Sequence, residues 1–131
     1  MDFTHRIDTE LAYDDAVARV TEALAEQGFG VLSEIDIRQT LQNKIGVDTA
    51  PQVILGACNP QLAHRALQAD PRIAALLPCN VVVRVEDGRT VVEALDPALM
   101  AEVSGDENLR PVATEATDRI RAALDAVASA D

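Results

Sequence analysis

Two short motifs hold the residues best suited to chemistry in this sequence of 131 residues: Cys58-Asn59-Pro60 and Pro78-Cys79-Asn80. Asn59-Pro60 is a strong helix start, because the amide caps the helix and proline sits where a missing N–H costs nothing. The free N–H groups and positive dipole end of such a helix favour a thiolate on a neighbouring cysteine. Cys79 stands at a helix-to-strand junction that mirrors the first motif. If the strands carrying the two cysteines are antiparallel neighbours, the end of one meets the start of the other and the thiols approach. Three uses are then open: small buried hydrophobes, a redox or sulfur-handling pair, or ligands to a metal or other cofactor.

Lys44 is the third candidate, the one lysine beside ten arginines. On a short helix over 37–45 it falls on the apolar side shared with Leu41. Its ammonium there either snorkels to the edge or meets an anion, with Glu34 and Asp36 as the nearest acidic partners. His64 points away from the apolar face of its helix, beside Gln61 and Gln68, while His5 alternates with Phe3 and Ile7 and faces a core. Two thiols without a converging histidine fall short of a tetrahedral zinc set, so no metal is assigned. Gly28-x-Gly30 lacks the rest of a dinucleotide fingerprint. The binding set is therefore Lys44, Cys58, Asn59, Cys79 and Asn80, with no catalytic residue assigned and the cofactor unknown.

The elements that must position these residues follow from periodicity and punctuation. Alternation predicts a strand over 2–9, and Tyr13, Ala16, Val17, Val20, Ala23 and Leu24 share one face of a helix over 13–27. A strand over 29–35 leads to Asp36, which caps the short helix that Gly46 closes. The run Val53-Ile54-Leu55-Gly56-Ala57-Cys58 is a third strand, followed by a helix to Ala69. Asp70-Pro71 opens a shorter helix through Leu77. Strands over 79–86 and 89–95 flank Asp87-Gly88, a two-residue hairpin signal. One helical turn over 97–103 and a polar loop over 104–108 precede the last helix, 112–128. The order predicts one α+β domain over 1–131, a mainly antiparallel five-stranded sheet with two long helices on one face.

Composition narrows the function classes. A formal net charge of −11 argues against nucleic acid and anionic membrane as partners, because both need a basic surface. Phe3, Tyr13 and Phe29 are the only aromatics, too few for a base-stacking platform, so the core is aliphatic. Charge begins at Asp2, which speaks against a secretory leader, and no window is apolar enough to span a bilayer. With two cysteines and no disulfide framework, the expectation is a soluble cytoplasmic protein. The net negative charge lies outside 31–80, a segment that is neutral and holds both cysteines and the lysine.

The central segment resembles domain-of-unknown-function family 302. The resemblance rests on Lys44-Ile45-Gly46-Val47-Asp48, Ile54-Leu55-Gly56-Ala57-Cys58-Asn59-Pro60, Ala63, Ala66-Leu67 and Leu76-Leu77-Pro78-Cys79-Asn80-Val81-Val82-Val83. It implies a TATA-binding-protein-like fold, β-α-β(4)-α with helical insertions, and no assigned activity. The DNA-binding role of that fold is analogy only.

Continuous apolar runs such as Val53-Ile54-Leu55 and Val81-Val82-Val83 are the signature of strands covered on both faces. Two long helices cover one. The expectation is a homodimer that covers the other, and a small binding or accessory domain with a thiol-containing site that takes a small-molecule ligand. The competing readings are a cysteine-based redox or sulfur-handling enzyme or carrier, and a purely structural interaction domain.

Overall fold

The computed structural model describes residues 2–129. Its strands are β1 (Thr4–Thr9), β2 (Gly30–Asp36), β3 (Gln52–Cys58), β4 (Cys79–Glu86) and β5 (Arg89–Leu95), and every neighbouring pair is antiparallel in the order β1-β5-β4-β3-β2. The helices are α1 (Tyr13–Glu26), α2 (Ile37–Ile45), α3 (Pro60–Ala69), α4 (Ala98–Ser104) and α5 (Arg110–Ala128). With the shorter helices set aside the order is β-α-β(4)-α, as the alternating periodicities require.

Local chemistry sets most boundaries. Asp36 accepts from the Gln39 N–H at 2.9 Å to start α2, and Gly46 ends it in the left-handed region at φ 68°. Asp87 and Gly88 both have positive φ, which is the turn geometry that matches the twist of a tight hairpin. Three expectations change. The segment after Asp70 is a 3-10 helix, Pro71–Leu76, and the polar loop contains a second, Glu107–Leu109. The last helix begins at Arg110 rather than 112, since Pro111 is tolerated in a first helical turn.

The core lies between one sheet face and the helices. Val53, Leu55 and Ala57 of β3, Val81 and Val83 of β4, and Val92 and Ala94 of β5 are buried against Ala16, Val20 and Leu24 of α1 and Ile120, Leu124 and Val127 of α5. The opposite face divides in two. Over β1, β5 and β4 it carries an ion-pair lattice: Arg6–Glu86 at 2.8 Å, Arg84–Glu93 at 2.8 Å and Arg6–Asp8 at 3.2 Å. Over β2 and α2 it is apolar and uncovered, with Leu32 at 72% exposure and Ile45 at 67%. No residue of α2 is buried.

Candidate functional site

Register places the cysteines. Cys79, the first residue of β4, pairs with Ala57, so it lies diagonally from Cys58 at the end of β3. Both line one small cavity at this end of the sheet, closed by Leu62 and Ala66 of α3, Met100 of α4 and Ala116 of α5. The side chains reach it from separate parts of the chain, which only the antiparallel β3–β4 pairing and the packing of α3 and α4 bring together.

Asn59 organises the rim. It is 8% exposed, its Oδ1 accepts from the Leu62 N–H at 3.2 Å, and its Nδ2 donates to the Gln27 carbonyl at 3.4 Å. The same carbonyl accepts from Arg119 at 3.2 Å, so the end of α1, the start of α3 and the middle of α5 share one acceptor. Gly28 is required beside it. Its φ is 83°, and a Cβ there would come within 2.9 Å of Asn59 Nδ2.

The thiols differ in environment. Cys58 is half-buried at the mouth, together with Ala63 and Leu77, whereas Cys79 is buried. Burial, and secondarily the neighbouring Cys58, pushes the Cys79 thiol up to about 11. No His, Asp, Glu, Lys, Arg or Tyr lines the cavity. The cavity volume is about 20 Å³, room for a water-sized occupant and far below the ~300 Å³ at which organic-ligand pockets begin.

Of the residues singled out by sequence, the structure brings together Cys58, Asn59 and Cys79. It does not bring Lys44 or Asn80 to the cavity. α2 leaves the sheet at Asp36, opposite Val53, while Cys58 is at the other end of β3, roughly 17 Å along the strand. Lys44 is exposed and makes no ion pair with Glu34 or Asp36. Asn80 pairs with Gly56 on the sheet face opposite Cys79, as the two-residue period of a strand dictates; by the same period Cys58 falls on Asn80's face and borders the cavity from the end of β3. His64 is exposed, as its helix position predicts, and His5 faces the core with Nε2 3.3 Å from Asp96 Oδ2. Among the described residues no group of three or more His, Cys, Asp and Glu could hold a metal, and no helix is long and apolar enough to cross a membrane. The lining residue that sequence reasoning missed is Met100. No local signal marks it, because α4 is set over the cavity by tertiary packing alone.

A five-stranded antiparallel sheet backed by two long helices, with a sulfur-lined cavity at one sheet end, defines an α+β domain of a single architectural class. Its relatives place it further. The chain belongs to the family described as domain of unknown function DUF302, whose profile matches residues 4–127. It is similar to a solved structure, the uncharacterized conserved protein DUF302 from Bacillus stearothermophilus, at 32% identity with a TM-score of 0.91. That match covers 96% of this chain and 98% of the other. Among curated proteins none matches.

Proposed function

We propose that this chain is a homodimeric binding or accessory domain whose site is the cavity of Cys58, Asn59 and Cys79, and not a thiol enzyme. One observation carries the reading: the cavity lining holds two thiols and no residue able to act as a general base or acid. A nucleophilic cysteine needs an adjacent base or a depressed pKa, and the buried Cys79 thiol is shifted the opposite way. The TATA-binding-protein-like arrangement serves here as a scaffold, since a net charge of −11 disfavours nucleic acid. Free thiols fit a reducing compartment, which supports the cytoplasm.

The dimer reading rests on β2 and α2. β2 is an edge strand, and Leu32, Ile35, Ile45 and Val47 are 42–72% exposed around it. An exposed apolar edge invites pairing with another strand. Eight of the ten arginines pair within the chain; Arg121 on α5 does not, nor do Arg38 and Lys44 on α2 or Glu34 and Asp48 beside them. A surface with unpaired charges of both signs is self-complementary across a two-fold axis.

Alkylation followed by mass spectrometry tests the site. In the native protein at pH 7, Cys58 labels no faster than free cysteine and Cys79 more slowly. Labelling of either above the free-cysteine rate overturns the reading in favour of a cysteine enzyme. Multi-angle light scattering tests the assembly: the parent is a dimer at micromolar concentration and Leu32→Asp is a folded monomer. A monomeric parent refutes it.

A further inference from the structure

We propose that a second copy of the chain closes the mouth of the cavity: the dimer face runs over Cys58, so the partner copy shields this thiol. This deepens the binding-domain reading and rests on its dimer. Strand period places the thiol. Ile54, Gly56 and Cys58 alternate with the buried Val53, Leu55 and Ala57, so they lie on the sheet face turned away from α1 and α5. Across the register Ile54 meets Ile35 of β2 and Val82 of β4, Gly56 meets Ser33 and Asn80, and Cys58 meets Gly30. The apolar row and the half-buried thiol are thus parts of one surface, about 14 Å from Ile54 to Cys58 along β3.

Charge selects a second copy as the occupant. Over β1, β5 and β4 this face matches its charges internally, through Arg6–Glu86 and Arg84–Glu93. Over β2 and α2, Arg38, Lys44, Glu34 and Asp48 have no ion pair among the described residues. Two cations and two anions in one patch are complementary to the same patch turned about a two-fold axis, whereas a partner of one dominant sign leaves like charges facing. Shape agrees. The space a Cβ at Gly56 would take is already filled by Ser33 and Pro78. Gly30 differs: it is exposed on the edge strand directly opposite Cys58, and a Cβ there would meet nothing within 4 Å. That hollow beside the thiol has a matching projection in Leu32, the most exposed large hydrophobic of the described residues at 72%. A β-bulge between Val31 and Ser33 sets Leu32 outside the regular alternation of β2. Under two-fold symmetry each copy offers one projection and receives one. Access to Cys58 therefore opens when the dimer dissociates.

The test is iodoacetamide labelling at pH 7, read residue by residue by mass spectrometry, with light scattering on the same samples. Cys58 in the parent dimer labels about tenfold more slowly than in the Leu32→Asp monomer, the ratio that about 1.4 kcal/mol of shielding contact gives. Cys79 labels alike in both, and Cys58 of the monomer approaches the free-cysteine rate without exceeding it. Dilution of the parent through its dissociation range makes the same comparison without a substitution. Gly30→Phe checks the seat independently. It keeps the parent's circular dichroism, because its own chain leaves room for the ring, yet its dimer dissociates at a concentration about tenfold higher or more. Equal Cys58 rates in dimer and monomer, an equal acceleration of Cys79, or a Gly30→Phe dimer as tight as the parent overturns the proposal and leaves the dimer standing. A monomeric parent instead refutes the dimer reading itself.

Discussion

Raising the pH removes stability that the buried Cys79 thiol supplies only while it is protonated. In the unfolded chain its pKa is the ordinary 9.0, and in the fold burial holds it at about 11. The folded state therefore keeps its proton where the unfolded state loses it. The contribution is intact below pH 9 and is lost as pH rises toward 11. At pH 10 the unfolded thiol is about nine-tenths ionised and the folded one about one-tenth, a difference of about 1.4 kcal/mol. For a domain of this size that is about 5 °C in Tm. The assay is urea unfolding of the parent and Cys79→Ala at pH 8 and pH 10. Cys79→Ala loses a constant amount from its missing sulfur, but the gap to the parent narrows by about 1.4 kcal/mol between the two pH values. Tyr13, whose phenol is also pushed up by burial, is present in both proteins and cancels. A gap that stays constant from pH 8 to pH 10 refutes the claim that Cys79 is desolvated, and with it the dry cavity.

Two further predictions concern the rim and the helix starts. Asn59→Ala removes the α3 cap and leaves the Leu62 N–H without its acceptor, while Arg119 still satisfies the Gln27 carbonyl, so urea unfolding shows a loss of about 1–2 kcal/mol; a loss under about 0.5 kcal/mol shows that Asn59 is not a working cap. The Arg72 guanidinium, bonded to Asp70 at 2.7–3.1 Å, holds that carboxyl below its usual value, so its stabilisation is present above pH 3.8 and lost as pH falls through the folded pKa. Thermal unfolding of Asp70→Asn against the parent shows its widest gap near pH 7 and convergence in acid; a gap independent of pH refutes the ion pair's role.

The sequence by itself determined the elements, because their signals are local. Asp36 and Gly46 bracket α2, Asn59-Pro60 and Asp70-Pro71 open the next two helical segments, and Asp87-Gly88 turns β4 into β5. Each works through bonds within a few residues of itself, so spacing alone reveals it. The buried stripe of α5, Ala113, Ala116, Ile120, Ala123, Leu124 and Val127, is legible for the same reason: helical period fixes which side chains share a face. Strand parity also separates Asn80 from Cys79, although the shared motif suggested they act together. The tertiary structure decided the site. Placing Cys58 beside Cys79 needed the β3–β4 register, placing Met100 over both needed the docking of α4, and removing Lys44 needed the direction in which β3 runs from α2. These are distances between residues far apart in the chain, set by which faces bury together, and no local spacing encodes them. The neutral stretch of sequence that holds both cysteines and the lysine is thus divided by the fold, with the thiols at one end of the sheet and the lysine at the other.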